Sequence, residues 1–109
     1  MKGNWYQKKE AVLGGSIPPK YRKIEPLLER MAPKRCVLDI GCNGGLVSLL
    51  SAKHEAEKVF GIDKRDYAIN QANMGFEAWA EKGMLRPDSK VSFLHGNLCE
   101  NLSLVDEAN

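Results

Sequence analysis

The stretch VLDIGCNGGLVS, residues 37–48, decides the fold. It starts as a short apolar run rich in branched residues, passes through a glycine-rich turn and ends in the first residues of a helical pattern. Open parallel sheets hold their ligands at such a strand-to-helix turn. Glycines let the backbone approach a bound molecule closely, and the free N–H groups of the helix start face it. The sequence therefore predicts a ligand-binding turn between a buried strand and a helix.

The neighbouring segments continue this alternation of strand and helix. Apolar runs and helical periodicity predict strands at 35–40, 58–63 and 90–96, with helices at 46–55 and 66–83. In the second of these helices, we expect Asp66 to cap the start and Gly83 to cap the end, and Phe76 and Trp79 to be core residues.

Upstream of the first strand, residues 20–32 also have helical spacing, although Pro26 is awkward inside a helix. Either a short helix begins with Pro26 in its first turn, or a longer helix bends there. Residues 1–19 contain paired glycines and paired prolines, which is typical of an irregular arm. The sequence thus predicts an N-terminal arm and helix over residues 1–34.

Strands that alternate with helices are typical of parallel βαβ units. Right-handed crossovers place both helices on one face of a sheet with strand order 3-2-1. The predicted fold class is therefore α/β, a Rossmann-like parallel sheet that is partial, with about three strands, helices on one face and an N-terminal arm. Residues 35–109 form the sheet-containing unit in this prediction, and the tail beyond the third strand is ambiguous.

Composition excludes several classes of protein. The chain has 109 residues, 43% of them hydrophobic and 28% charged, which is typical of one globular domain. No apolar run is long enough to cross a membrane, and the first ten residues lack the apolar core of a secretory signal, so we expect a cytoplasmic protein. The three cysteines, Cys36, Cys42 and Cys99, lack CxxC spacing, which argues against both a disulfide framework and a zinc site. We predict no metal.

Charge is distributed unevenly along the chain. Residues 1–35 carry nine Lys/Arg and three Glu, whereas residues 36–109 carry seven Lys/Arg and eleven Asp/Glu. A basic head is compatible with a phosphate-rich partner such as RNA, but nine charges favour the alternative of a solvated helix face.

The details of the turn distinguish between cofactors. A dinucleotide-binding turn requires the pattern G-x-G-x-x-G, but Asn43 stands where the second glycine would admit a pyrophosphate. Asp39, two residues before Gly41, would repel a pyrophosphate but can receive an ammonium group. Asp63 ends the next strand, where an acidic side chain can accept hydrogen bonds from both hydroxyls of a ribose. These features favour S-adenosylmethionine, which has an ammonium group and a ribose but no phosphate, over a nicotinamide dinucleotide.

Three motifs in order resemble those of class I S-adenosylmethionine-dependent methyltransferases. VLDIGCNGG is similar to the first motif of that family, VFGIDKRDYAI to the second and VSFLHGNL to the third. The resemblance covers residues 35–98. It implies a methyltransferase with S-adenosyl-L-methionine as its cofactor.

The resemblance also implies a role for individual residues. Asp39 would orient the methionine ammonium, and Asp63 would hold the ribose hydroxyls. Backbone lining of the methionine and ribose would come from Gly41, Cys42 and Gly45, with Asn43 in the middle-glycine position, and the adenine would be bounded by Lys64, Asn97 and Leu98. The family often has an aspartate where this chain has Asn97, whose side-chain oxygen can still accept a hydrogen bond.

The upstream segment carries a weaker resemblance. Residues 4–28 are similar to the arm that precedes the first motif in methyltransferases related to the tRNA wobble-uridine carboxymethyl-transfer enzymes. In those enzymes a lysine at a similar distance upstream helps to bind the cofactor, so the resemblance makes Lys20 a candidate.

The family sheet has seven strands, of which this sequence predicts about three. We therefore expect the amino-terminal, cofactor-binding half of a methyltransferase, inactive by itself, with catalytic residues outside the chain. The acceptor is a small molecule or RNA in this interpretation, and the sequence does not identify it or fix the oligomeric state. Two alternatives stay open: a non-catalytic S-adenosylmethionine-binding half-domain completed by a partner, and an NAD-dependent oxidoreductase.

Overall fold

The computed structural model describes residues 13–15 and 17–97. The elements in chain order are α1 (Pro19–Arg22), α2 (Glu25–Met31), β1 (Cys36–Ile40), α3 (Leu46–Lys53), β2 (Lys58–Asp63), α4 (Asp66–Glu81) and β3 (Val91–His95). Each predicted strand is present within one residue of its expected bounds. The predicted arm before residue 13, Leu98 and the tail after it lie outside the described residues.

The three strands form one parallel sheet in the order β1-β2-β3. Strand β2 lies in the middle, with Leu38 paired to Phe60 and Phe60 paired to Ser92. The predicted α/β class and strand order are therefore confirmed. Because parallel strands end on the same side, the carboxyl ends of β1, β2 and β3 meet at one edge.

Helices α3 and α4 contact each other and pack on one face of the sheet, as right-handed crossovers require. The core between them and the sheet consists of Leu46, Leu49, Leu50, Ala52, Val59, Trp79 and Leu85. Trp79 is completely buried and Phe76 packs against this cluster, so both are core residues as predicted.

Pro26 resolves the upstream segment into two short helices. Pro26 is in the first turn of α2, where its missing N–H leaves no hydrogen bond unmade, so the first of the two sequence alternatives is correct. Helix α2 is joined to α3 through Glu25, whose Oε2 lies 3.2 Å from Lys53 Nζ and 2.8 Å from His54 Nε2. These contacts fix α2 on the sheet-containing unit, while the boundary at residue 34 stays a prediction.

The two ends of α4 differ from each other in how well the sequence predicts them. The expected cap at Asp66 is wrong, because the extended Arg65 is the N-cap and no side chain caps the helix. Asp66 is instead in the first turn, where a negative charge favours the helix dipole. At the other end Gly83 has φ +71°, and the N–H groups of Gly83 and Met84 donate to the carbonyls of Ala80 and Trp79. This is a Schellman motif, and it explains the glycine.

Strand β1 is an edge of the sheet among the described strands. On the face opposite the helices, Ile40 is 59% exposed and Leu38 is 39% exposed, whereas their neighbours Ile62 and Phe60 on β2 are buried. Among the described strands, the exposed large apolar side chains thus lie on the edge strand β1. No helix of the described part of the chain is both long and apolar enough to cross a membrane.

We predict that residues 1–109 expressed alone associate through β1. An edge strand with unpaired backbone groups and apolar side chains is a template for pairing. Ile40→Lys places a charge on this edge and should convert the associated species to monomer in light scattering. Ser92→Lys, on the opposite edge strand, is the matched control and should leave the association unchanged. A monodisperse wild-type monomer with a cooperative melt above about 45 °C would contradict the prediction.

Candidate functional site

The turn between β1 and α3 lies at the carboxyl edge of the sheet. The N–H groups of Gly41 and Cys42 donate to the carbonyl of Ile62 at 2.8 and 3.0 Å. The N–H of Gly45 donates to the carbonyl of Cys42 at 2.9 Å and closes the turn. The turn is therefore fixed on the end of β2 before the chain enters α3.

Three residues of this turn have a left-handed backbone: Gly41 (φ +70°), Asn43 (φ +52°) and Gly45 (φ +83°). Asparagine adopts this conformation more readily than most residues, which explains how Asn43 occupies the middle-glycine position of the first motif. The N–H of Asn43 donates to Asp63 Oδ2 at 2.9 Å. The backbone of the turn thus reaches the carboxylate at the end of β2.

Close packing requires Gly45, and Gly44 lies against the Gln71 side chain. A Cβ on Gly45 would lie 2.8 Å from the Ala72 Cβ and 2.9 Å from Phe93 Cζ. A Cβ on Gly44 would lie 2.5 Å from Gln71 Nε2. Because neither glycine carries a Cβ, the turn lies directly on α4 and β3.

Asp39, near the end of β1, is a half-buried carboxylate with a hydroxyl partner. Ser48 Oγ, on the first turn of α3, donates to Asp39 Oδ2 at 2.7 Å. Burial raises the pKa of Asp39, the Ser48 hydrogen bond opposes that rise, and the charge of Asp63 adds to it. Because burial disfavours the ionised form of Asp39, a cation that enters the adjacent cavity would stabilise that form.

Asp63 is buried and accepts four hydrogen bonds. The backbone N–H groups of Asn43 and Arg65 donate to Oδ2 and Oδ1, each at 2.9 Å. The Arg65 side chain donates through Nε to Oδ1 and through Nη2 to Oδ2, each at 3.0 Å. The Arg65 guanidinium holds the pKa of Asp63 at about 2, against the opposing effect of burial.

Arg65 also binds other groups around the turn. Nη2 donates to Asn43 Oδ1, and Nη1 donates to the Tyr67 hydroxyl at 3.2 Å. The guanidinium lies over the Tyr67 ring, 5.5 Å from its centroid. One side chain therefore connects the glycine turn, the end of β2 and the start of α4.

Two cavities flank this cluster. The first, of about 370 Å³, is lined by residues from α1, β1, the turn, α3 and α4: Pro18, Lys20, Tyr21, Asp39, Gly41, Cys42, Asn43, Gly44, Leu46, Val47, Arg65, Tyr67, Ala68 and Gln71. Its volume is within the range of small-molecule sites. Lys20 Nζ lies 5.0 Å from the centre of the Tyr21 ring, and both residues line this cavity.

The second cavity lies along the carboxyl ends of the strands. Its lining includes Gly41, Asn43, Asp63, Lys64, Arg65 and Asn97. The N–H of Gly96 donates to the Asp63 carbonyl, and His95 Nε2 lies 2.9 Å from the Lys64 carbonyl oxygen. These contacts hold the end of β3 beside Asp63.

The structure thus brings most of the predicted site residues together. Lys20, Asp39, Cys42 and the first turn residues line the first cavity, and Asp63, Lys64 and Asn97 line the second. Gly45 is buried beneath the turn against Ala72 and Phe93 and is not a lining residue of either cavity. Leu98 lies outside the described residues. The cofactor-binding roles of these residues stay predictions.

The Cys42 side chain is a packing group. It is buried, and its Sγ would lie 3.1 Å from a Cβ on Gly61. Burial, followed by the charges of Asp39 and Asp63, raises the pKa of the Cys42 thiol to about 12. The thiol is therefore protonated at neutral pH and is a poor nucleophile.

Sequence reasoning missed three residues of the site: Ser48, Arg65 and Gln71. Arg65 had a readable signal, since it follows the candidate acid Asp63 by two residues. Ser48 and Gln71 had none, because their contacts to Asp39 and Gly44 join different elements. Gln71 is 7% exposed, and its Oε1 has no hydrogen-bond partner among the residues that the structure describes. In the described part of the chain, no cluster of His, Cys, Asp or Glu is arranged to hold a metal ion.

Comparison with known proteins identifies the class to which this fold and site belong. A family model described as ribosomal protein L11 methyltransferase (PrmA) matches residues 23–91. A curated ribosomal protein L11 methyltransferase from Paraburkholderia phytofirmans is 35% identical over 63 residues, which are 58% of this chain and 21% of the relative. The chain thus spans about a fifth of the length of the curated relatives that it matches.

Solved structures agree with this assignment. A methyltransferase from Agrobacterium tumefaciens, described as SAM-dependent, has a TM-score of 0.61 at 19% identity, over 84% of this chain and 28% of that one. The PRMT1 enzyme–prozyme complex of Trypanosoma brucei with AdoHcy has a TM-score of 0.56 at 26% identity, over 77% of this chain and 24% of that one.

The fold is that of class I S-adenosylmethionine-dependent methyltransferases, as the three motifs indicated. Within that class, the chain belongs to the ribosomal protein L11 methyltransferase family, whose model covers more than half of it.

We predict that Gly45→Ala destabilises the fold more than Gly41→Ala does. Both glycines have positive φ, but only the Gly45 Cβ would meet other atoms, whereas a Gly41 Cβ would meet none within 4 Å. Gly41→Ala should cost about 1 kcal/mol of unfolding free energy from backbone strain. Gly45→Ala should cost about 1–3 kcal/mol more from overpacking. Urea denaturation of both variants measures the difference, and equal losses would show that the packing at Gly45 is not limiting.

Asp63 should make unfolding sensitive to acid. Its folded pKa is about 2, below the ordinary value of 3.8, so its stabilising contribution is complete above about pH 4 and is lost as the pH falls to about 2. The contribution is about 2 kcal/mol on this difference. Asp63→Asn should be less stable than wild type at pH 5, and the two stabilities should converge near pH 2. Denaturation curves that stay parallel from pH 5 to pH 2 would disprove this.

Proposed function

We propose that the chain forms the S-adenosylmethionine-binding part of a methyltransferase. The single observation that carries the proposal is the half-buried Asp39 carboxylate, facing a cavity beneath a glycine turn, with Asp63 at the adjacent strand end. S-adenosylmethionine carries an ammonium group, which Asp39 would bind, and a ribose diol, which Asp63 would bind.

The residues present fit the cofactor chemically. Asp39 Oδ2 accepts the Ser48 hydrogen bond, and the carboxylate retains acceptor capacity for an ammonium group. A side chain at Gly41 would project into open space, so the glycine leaves room for a ligand against the turn. Lys20, which lines the same cavity, would attract the cofactor carboxylate. Together these groups match the two charges of the amino-acid end.

The second cavity would hold the nucleoside end of the proposed cofactor. Asp63 would accept the ribose hydroxyls, Lys64 would lie beside the adenine, and Asn97 would accept a hydrogen bond from the adenine amino group. This assignment gives each predicted residue one role and leaves Gly45 a packing role beneath the turn.

When bound, S-adenosylmethionine supplies a methyl group activated on a sulfonium. The residues of this chain would bind and orient it, since positioning and desolvation are the main contributions of a protein to such a displacement. Asp39 and Asp63 would fix the two ends of the molecule. No residue of the chain is assigned as a catalytic base.

For the acceptor, we propose ribosomal protein L11, in place of the small molecule or RNA expected from the sequence. The proposal rests on the family model and on curated relatives whose printed name gives that protein. The experiment is transfer of radiolabelled methyl groups by the full-length protein to purified L11, to total tRNA and to a small-molecule extract. Labelling of tRNA or the extract without labelling of L11 would refute this acceptor.

Asp39→Asn should weaken cofactor binding without a loss of stability. Because burial raises the pKa of Asp39, the ionised carboxylate destabilises the native state at neutral pH, whereas the neutral amide does not. Binding of S-adenosylhomocysteine, measured by calorimetry on the full-length protein, should weaken at least about tenfold, as loss of a charged hydrogen bond requires. The melting temperature should stay the same or rise.

Asp88→Asn is the matched control, since Asp88 is exposed and its carboxylate pairs with Arg86 away from both cavities. It should leave affinity unchanged. No binding of millimolar S-adenosylhomocysteine to the wild type would overturn the proposed function, and equal affinity in Asp39→Asn would remove Asp39 from the site.

A further inference from the structure

The Asp63 carboxylate has no acceptor position left for a ligand. A carboxylate offers about four lone-pair directions, and the four donors on Asp63 place two hydrogen bonds on each oxygen. Two of those donors are backbone N–H groups that are fixed by the turn and by β2. The other two belong to the Arg65 side chain. A new donor at Asp63 must therefore replace the Arg65 side chain.

The Arg65 contacts have the same pattern as a ribose diol would have. Nε reaches Oδ1 and Nη2 reaches Oδ2, each at 3.0 Å, so the guanidinium bridges both oxygens. Two vicinal hydroxyls that bind a carboxylate side by side also make one hydrogen bond to each oxygen. One bridging group can thus be exchanged for the other with no change in the number of hydrogen bonds on Asp63.

The exposed fractions of the Asp63 and Arg65 side chains indicate which of the two can move. The Asp63 side chain is 3% exposed, whereas the Arg65 side chain is 40% exposed and lies on the solvent side of the pair. An arginine that leaves the carboxylate can be hydrated at once, and its stacking partner Tyr67 is half exposed as well. Arg65 is therefore the part of the cluster that can swing outward.

We propose that Arg65 is an internal competitor for the ribose subsite: its guanidinium occupies Asp63 in the free protein and is displaced by the diol of the bound nucleoside. This inference rests on the proposed function, because it takes the ribose to bind at Asp63. Arg65 sets the affinity of the site by making the ligand displace an ion pair. Removal of the Arg65 side chain should therefore strengthen binding of the nucleoside, even though that side chain makes several hydrogen bonds in the free protein.

The first experiment compares S-adenosylhomocysteine binding by calorimetry in the full-length wild type and in Arg65→Ala. Arg65→Ala should bind S-adenosylhomocysteine about two- to fivefold more tightly than the wild type. This ratio of affinities corresponds to the free energy that a partly exposed ion pair contributes. Arg65→Lys should be intermediate, since one ammonium cannot bridge both oxygens as a guanidinium does. Arg86→Ala, which removes an exposed arginine paired with Glu55 and Asp88, is the matched control and should not change the affinity.

Unchanged or weaker binding in Arg65→Ala, with normal binding in the wild type, would overturn the Arg65 inference and leave the proposed function intact. Absence of binding in the wild type and all variants would overturn both. Thermal melts of each variant verify that it is folded, and if Arg65→Ala is unfolded, Arg65→Lys carries the comparison with the same expected sign.

A second experiment isolates the diol. Adenosine and 2′,3′-dideoxyadenosine at millimolar concentration are titrated into wild type and Arg65→Ala and followed by NMR. The gain from Arg65→Ala should appear for adenosine and vanish for the dideoxy compound, which has no hydroxyls to compete for Asp63. An equal gain for both nucleosides would show that Arg65 acts by general charge or bulk, and would refute the competition.

Discussion

The pairing of β1 with β2 in parallel register is the constraint on which the rest of the structure depends. It places Asp39 opposite Gly61 and Ile40 opposite Ile62, so that the chain leaving β1 passes over the end of β2. The turn is then fixed there by two hydrogen bonds to the Ile62 carbonyl and one to the Asp63 carboxylate. Asp39 and Asp63, the two carboxylates of the proposed cofactor site, belong to these paired strands. The pairing therefore sets their relative position.

The two carboxylates at this junction are perturbed in opposite directions. Burial raises the pKa of Asp39, whose partner among the described residues is a neutral hydroxyl. The Arg65 guanidinium and two backbone N–H groups lower the pKa of Asp63 despite its greater burial. The ionised form of Asp63 is therefore stabilised within the protein, whereas burial disfavours the ionised form of Asp39. Under the proposed function, Asp39 would favour ligand binding at a cost in stability, whereas Asp63 contributes stability that the ligand would have to replace.

The fold is asymmetric around the same junction. Helices α3 and α4 cover one face with a dense core around Trp79 and Leu49, and they bring Ser48 and Gln71 to the turn. On the other face, Ile40 and Leu38 of the edge strand are exposed. The chain spans a fifth of its curated relatives, so in a longer protein this apolar edge is a surface on which further structure can pack. Strand β1 thus carries both the candidate binding residue Asp39 and the exposed apolar side chains of the edge.

The sequence by itself determined the strands, their order, the helices that follow them and the family. Period and composition specify these features locally, and a glycine turn between strand and helix limits the ligand class. Asp39, Asp63 and Asn97 could be named as candidates because they follow predicted strands, and parallel strands end at one edge. Only the tertiary structure decided what each residue contacts. Gly45 lies beneath the turn because α4 and β3 approach it, and Asp63 is covered because the Arg65 side chain folds back on it. Such contacts depend on distances between elements that are remote in sequence and on rotamers, and neither leaves a periodic pattern in the chain.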